Sequence, residues 1–210
     1  VVVGRRGGKS MVAALIGTYL AIARDYRRYL SPGEVATIMI IAADHKQART
    51  IMRYIEGMIK GSVHLNSLVA SMTKESITLG NQVVIEVHTC SYRAVRGYTI
   101  AAVICDEIAF WRTDDSANPD KEVIAALRPG MTTIPNSLLL CISSPYAKRG
   151  ALWETYCNHF GKGESTSLVW QGSTLKMNPA VSPALIEEAY AADPTSAEAE
   201  YGAQFRGDID

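Results

Sequence analysis

Residues 36 to 43, Ala-Thr-Ile-Met-Ile-Ile-Ala-Ala, form an apolar run without the polar alternation of a half-buried strand. Such a strand has to be covered on both faces, which is the situation of a parallel sheet with helices on either side. Apolar runs at 101 to 105, 138 to 142 and 167 to 170 repeat the signal, and Val1 to Val3 look like the end of another strand. Helical spacing fills the intervals. After Lys9, the residues Met11, Val12, Leu15, Ile16, Tyr19 and Leu20 predict a helix running toward Leu30, stopped by Ser31-Pro32-Gly33. Asp44 and Gln47 resemble a capping box ahead of a helix whose apolar face is Ala48, Ile51, Met52, Ile55 and Ile59. Residues near 119 to 127 and 149 to 160 read as further helices. Ile77-Thr78-Leu79, a Gly80-Asn81 turn and Val83 to Val87 read as a hairpin. Strands alternating with helices, plus one hairpin insertion, predict an α/β doubly wound sheet.

Composition narrows what such a sheet is used for. With 210 residues, 48% of them hydrophobic, the chain can bury one sizeable core and a small appended subdomain. Lys and Arg number 21, as do Asp and Glu, so no global field advertises a nucleic-acid or membrane partner. Any such contact has to come from a local patch. Cys90, Cys105, Cys141 and Cys157 contain no Cys-x-x-Cys pair, which speaks against metal or disulfide roles and fits a reducing compartment. No apolar stretch approaches the ~18 to 20 residues of a membrane span, and nothing resembles a signal peptide, so the sequence reads as that of a soluble protein. A strand leading into a glycine-rich turn begins at residue 1 without an initiator Met, and the sequence reads as a domain of something longer.

That turn carries the first chemical signal. Gly7-Gly8-Lys9-Ser10 stands between a strand and a helix, the setting of a phosphate-binding loop. Backbone N–H groups of the turn converge on phosphates, the positive end of the helix dipole faces them, Lys9 reaches the β- and γ-phosphates, and the Ser10 hydroxyl ligates Mg2+. The general spacing wants a glycine at position 3, which is Val3; here it stands at Gly4. Read alone, the turn leaves an ordinary glycine loop open.

Far along the chain, Ala101-Ala102-Val103-Ile104-Cys105 ends in Asp106-Glu107. A buried strand ending in two adjacent carboxylates is what a Walker B element needs: Asp106 to hold Mg2+ through water, Glu107 to polarise the attacking water as general base. A third strand, Leu138 to Ile142, ends in Ser143-Ser144-Pro145, small hydroxyl donors suited to sensing a terminal phosphate or its water. Asp114, Asp115 and Asp120 read as a solvated loop. In the tail, Ser182-Pro183 is a helix start and Thr195-Ser196-Ala197-Glu198 a second capping box, so residues from 172 read as a small helical appendage.

Taken in order, Gly4-Arg5-Arg6-Gly7-Gly8-Lys9-Ser10, Val103 to Phe110 and Ile142-Ser143-Ser144-Pro145 resemble the ATPase domain of the large terminase subunit of tailed bacteriophages. The resemblance continues to Met177-Asn178-Pro179 and to the closing Ala203 to Asp208. The family's Walker A commonly departs from the general spacing in the same way. The resemblance implies a P-loop NTPase of the additional-strand, catalytic-glutamate type: a mostly parallel central sheet flanked by helices, with residues 1–171 as the ATPase core and 172–210 as a small helical lid leading to a nuclease domain outside this chain. It implies ATP and Mg2+ as ligands and hydrolysis that drives double-stranded DNA into a procapsid. It further implies work as a homo-oligomeric ring, a pentamer, with the portal protein and the small terminase subunit, in the host cytoplasm and with no membrane partner. Arg5 matches the family's catalytic or sensor arginine, and Ser143, Ser144 and Pro145 its coupling motif.

A ring motor also needs an arginine from a neighbouring subunit. Arg96, just before the Walker B strand, is the candidate taken from a group that includes Arg93, Arg49, Arg53 and Arg128. Tyr98, Trp111, Tyr146 and Trp153 suit core packing better than stacking on bases. Two other readings stay open at this level: the motor of another DNA helicase or remodelling protein, and a nucleotide-gated docking module with little hydrolysis.

Overall fold

A computed structural model describes residues 1–112, 116 and 118–207. In chain order the strands are β1 (Val2–Val3), β2 (Ala36–Ala42), β3 (Val69–Met72), β4 (Ser76–Leu79), β5 (Val83–Thr89), β6 (Thr99–Asp106), β7 (Leu138–Ile142) and β8 (Gln171–Gly172). The helices are α1 (Lys9–Ala23), α2 (His45–Lys60), α3 (Val63–Asn66), α4 (Pro119–Leu127), α5 (Gly150–His159), α6 (Thr174–Met177), α7 (Pro183–Ala192) and α8 (Pro194–Glu200). The chain divides into two compact units, one comprising Ser10–Asp106 with Trp111–Leu140, the other Val1–Lys9, Glu107–Phe110 and Cys141–Asp210.

The first of these is built on β2, all of whose residues are buried. It pairs in parallel with β5, from Ala36 opposite Val83 to Ala42 opposite Thr89, and in parallel with β6 on its other side. The strand order is β3-β4-β5-β2-β6-β7, so the unbroken apolar run lies in the interior of the sheet, where both faces are covered. The hairpin read from residues 76 to 90 is β4 and β5, antiparallel, and β3 extends it at the edge. From α2, Ile51, Met52, Ile55 and Ile59 are fully buried, as are Ile38 and Ile40 of β2. Each such side chain stabilises the fold by about 1.5–3 kcal/mol of apolar burial. α1 approaches the sheet closely: a Cβ at Gly17 would lie 3.0 Å from Ile104 Cδ1. Asp44 caps α2, its carboxylate accepting from the Gln47 N–H at 2.9 Å.

Three local expectations are corrected. α1 ends at Ala23 rather than near Leu30. Buried Tyr26 folds back to donate its hydroxyl to Leu20 O at 3.0 Å, and Asp25 accepts from the Arg27 N–H and guanidinium, which pulls its carboxyl down to about 2. These local bonds turn the chain before the Ser-Pro-Gly stop is reached. Asp120 is not in a solvated loop: it is buried in the first turn of α4, after Pro119, where the helix dipole favours a carboxylate. Asp114 and Asp115 lie outside the described residues. The last helix, α8, is capped by Asp193, whose carboxylate accepts from the Ser196 N–H at 3.0 Å, rather than by Thr195, because Pro194 supplies the first helical position.

In the second unit, β1 pairs in parallel with β8, Val2 opposite Gln171 and Val3 opposite Gly172, and bridges in parallel to Ser143 just after β7. β8 is shorter than, and begins after, the apolar run at 167 to 170; Leu168 there is exposed. α7 and α8 are joined through Tyr190, which donates to Glu198 Oε2 at 2.6 Å. Burial and then the Glu198 carboxylate push the Tyr190 phenol up to about 12.

Candidate active site

The residues Val1–Val3 are held in place from both sides, and this fixes where the glycine turn starts. Val2 N–H donates to Trp170 O at 2.7 Å and Val3 N–H to Ser143 O at 3.1 Å. Gly4 follows, its N–H donating to Gly172 O, and the chain turns at once, Gly7 N–H closing back on Gly4 O at 3.1 Å. Only glycine fits at position 4. A Cβ there would run into Thr174 Oγ1 and lie 2.8 Å from Tyr201 O. Gly8 takes a φ of 84° and Arg6 one of 62°, so the turn passes through left-handed backbone twice before α1 begins at Lys9. The glycine shifted from position 3 to position 4 is therefore explained by this chain: Val3 is still strand, fully buried, and the turn begins one residue later.

Lys9 is buried and folds back over the turn it closes. Its ammonium donates to Val3 O and Ser144 Oγ, both at 2.9 Å, and lies 3.4 Å from Gly4 O. Glu107 Oε1 stands 3.4 Å from the same nitrogen. The other carboxylate oxygen of Glu107, Oε2, accepts from Ser143 Oγ at 3.0 Å and from the Ser144 N–H at 2.8 Å. Glu107 itself sits at φ 48°, a left-handed conformation that costs a non-glycine residue on the order of 1–3 kcal/mol and persists where the surroundings over-determine it. The residues that impose it are the Ser143 and Ser144 donors and Lys9. The three sequence motifs thus meet at one point: the lysine of the glycine turn, the second acid after β6 and the serines after β7. Pro145, buried, follows them.

Asp106 and Ser10 belong to the other compact unit. Asp106 is buried at the end of β6, where the Trp111 indole N–H donates to its backbone carbonyl at 2.9 Å. Ser10 is the second residue of α1. A buried carboxylate and a helix-start hydroxyl are hard oxygen donors, the set that suits Mg2+, which takes few protein ligands and completes its shell with waters and substrate phosphates. Among the described residues no group of three or more His, Cys, Asp or Glu could hold a metal ion.

Arg5 and Arg6 are exposed. Arg5 is tied to the tail: its N–H donates to Glu200 O at 2.6 Å and its guanidinium pairs with Glu200 Oε1 at 3.3 Å. The carbonyls of Arg5 and Arg6 accept from Thr174 Oγ1 at 2.7 Å and Asn178 Nδ2 at 2.8 Å. Thr174, Glu200 and Tyr201 were not marked by the sequence as belonging to the phosphate loop. Of these braces only Asn178 lay in a quoted motif, Met177-Asn178-Pro179; the others act through backbone atoms or a lone hydroxyl and leave no spacing to read.

The remaining candidates resolve by their partners. Arg49 is ion-paired to Glu75 at 2.6 Å, and Arg53 donates to Thr50 Oγ1. Arg93 Nε donates to Tyr92 OH. Arg96 is exposed, 5.7 Å from the Tyr92 ring centre, on a groove of about 630 Å³ lined also by Val95, Glu122, Ala125 and Pro129. No residue of the glycine turn lines that groove. The aromatic candidates pack on protein: Tyr98 edge-on to His88, Tyr146 against Phe110, Trp153 among Tyr156 and Phe205, and Trp111 in the core.

A family model for the terminase large subunit ATPase domain matches residues 1–162. Among solved structures the chain resembles the large terminase ATPase domain of Thermus phage P74-26, at TM-score 0.71 and 17% identity, covering 97% of this chain and 86% of that one. It resembles the large terminase of bacteriophage HK97 at TM-score 0.69 and 17% identity, over 98% of this chain and 46% of that one. The large terminase of a thermophilic bacteriophage in complex with ADP matches at TM-score 0.67 and 12% identity, over 98% and 48%. The chain spans just under half the length of these last two proteins. No curated protein matches it in sequence. The structural likenesses establish the fold, an α/β domain with a mostly parallel central sheet flanked by helices. The family model, which covers well over half of the residues, establishes the kinship: this chain belongs to the family of terminase large subunit ATPase domains, the motors of phage DNA packaging.

Proposed function

We propose that this domain hydrolyses ATP at the glycine turn to drive double-stranded DNA into a procapsid, with Glu107 as the general base. The observation that carries this reading is the convergence on Lys9 of Glu107 Oε1 at 3.4 Å and Ser144 Oγ at 2.9 Å. The N–H groups from Gly4 to Ser10, through the turn and the start of α1, cradle the phosphates, and Lys9 donates to the β- and γ-phosphate oxygens. Glu107 takes a proton from the attacking water. The Ser10 hydroxyl and, through water, the Asp106 carboxylate would hold Mg2+, which would supply charge neutralisation on the β- and γ-phosphates. Residues 1–171 serve as the ATPase core and 172–210 as a lid or linker; the bonds from Gly172, Thr174, Asn178 and Glu200 to the turn support a segment that follows nucleotide state.

Arg5, exposed and paired with Glu200 in the open at 59% side-chain exposure, has the freedom to leave that partner for a γ-phosphate. Arg5→Ala should lower kcat about 10- to 100-fold, the loss of one charge-assisted contact in the transition state, with a much smaller change in nucleotide binding. Equal kcat in a steady-state phosphate-release assay would make Arg5 a surface residue. Arg96, exposed beside its groove, is the arginine offered to a neighbouring subunit. The working assembly is a ring, a pentamer, docked on the portal with the small terminase subunit, in the host cytoplasm at the procapsid. Among the described residues no helix is long and apolar enough to cross a membrane. ATPase rate per subunit should rise with protein concentration as the ring forms. A rate flat across the assembly range, checked by light scattering, would favour a motor that needs no neighbour and would remove Arg96 from the site.

A further inference from the structure

We propose that the two serines after β7 divide the work at this site: Ser143 is the positioning residue that fixes the Glu107 carboxylate, and Ser144 is the resting partner of Lys9. On this arrangement a phosphate takes Lys9 away from Ser144 and Glu107, and by doing so frees the one oxygen of Glu107 that acts as base. The inference rests on the roles given above to Glu107 and Lys9.

Hydrogen-bond valence decides it. Ser143 is fully buried and its backbone is fixed, N–H to Val1 O and carbonyl from Val3 N–H, both at 3.1 Å. Its hydroxyl accepts from the Ala109 N–H at 3.3 Å, which leaves its single proton for Glu107 Oε2 at 3.0 Å. The residue that holds the carboxylate therefore also holds the backbone two positions beyond it, closing a ring around the left-handed Glu107. With the Ser144 N–H at 2.8 Å, Oε2 is occupied by two donors. Oε1 faces Lys9 alone among the bonds described for it.

Lys9 has three protons and four oxygen neighbours. Val3 O and Gly4 O belong to backbone that the strand and turn hold in place, whereas Ser144 Oγ can rotate and Glu107 Oε1 is at the longer distance of 3.4 Å. A phosphate oxygen therefore competes with the serine hydroxyl and the carboxylate. Once Lys9 has moved to the phosphate, Oε1 is an unpaired acceptor on a carboxylate still anchored through Oε2. It accepts a proton from water, the water oxygen forms the new bond to the γ-phosphorus, and the bond from that phosphorus to the β–γ bridging oxygen breaks, leaving ADP and inorganic phosphate. The same contact change keeps the base paired with a cation until phosphate arrives.

The test is steady-state hydrolysis, with binding of a fluorescent ATP analogue in Mg2+, on the full chain as wild type, S143A, S143T, S144A and E107Q. Loss of a hydrogen bond to a charged group predicts kcat of S143A down about 10- to 100-fold with KM within about threefold, and S143T restores kcat because it keeps the hydroxyl. S144A removes a competitor for the ammonium and should bind the analogue about three- to tenfold more tightly. The division is overturned if S143A and S144A show the same kcat and KM pattern, if S144A binds more weakly, or if S143T, melting at the wild-type temperature, stays as slow as S143A. E107Q separates the two levels: wild-type turnover in E107Q sinks the reading of Glu107 as base, whereas an inactive E107Q beside a fully active S143A sinks only the role of Ser143.

Discussion

Glu107→Gln should lose turnover by about 10²- to 10⁴-fold, the usual contribution of a positioned general base, while still binding ATP. The amide is nearly the same shape as the carboxylate, and its carbonyl oxygen can still accept from Ser143 Oγ and the Ser144 N–H, the two donors that hold Oε2 at 3.0 and 2.8 Å. What it cannot do is take a proton from water. Lys9, relieved of a carboxylate 3.4 Å away, remains available to phosphates, so affinity should hold or improve. Phosphate release and analogue binding measured on one preparation check both halves. Hydrolysis at the wild-type rate would assign the chemistry to another group.

Lys9→Ala should fail one step earlier, at binding. The ammonium is the one buried cation among the described residues at this turn, and it replaces its carbonyl and hydroxyl partners with phosphate oxygens. Two charge-assisted hydrogen bonds at about 1.5–3 kcal/mol each predict a loss of roughly 10²-fold or more in ATP affinity. The substitution also leaves Glu107 held by Ser143 and Ser144 with no cation opposite, so the loss should extend to ADP. Titration of a fluorescent analogue measures it. Affinity within twofold of wild type would mean that the backbone N–H groups alone bind the phosphates.

Lys9, Ser10, Asp106 and Glu107 are legible because each stands at the end of a strand or the start of a helix, where apolar pattern and polar terminus coincide. The strand β2 and the buried face of α2 are legible for the same reason, since burial imposes period and the period survives in the sequence. The end of α1 was misplaced because a Tyr26 hydroxyl and an Asp25 turn stopped it locally, ahead of the stronger-looking Ser-Pro-Gly signal. Thr174, Glu200 and Tyr201 could not be found because they reach the glycine turn across long sequence separations and largely through main-chain atoms, which are alike in every residue.

Sequence by itself determined β1, β2, β4, β5, β6 and β7, the glycine turn, the acid pair and the hydroxyl pair, because each is written as a local pattern of side chains; the edge strand β3 and the short β8 were not written that way. Only the tertiary structure decided that Lys9, Glu107, Ser143 and Ser144 share a single network, with the Ser143 hydroxyl on the acid and the Ser144 hydroxyl on the cation. Those choices depend on directions and distances of a few ångströms between segments that no spacing along the chain encodes.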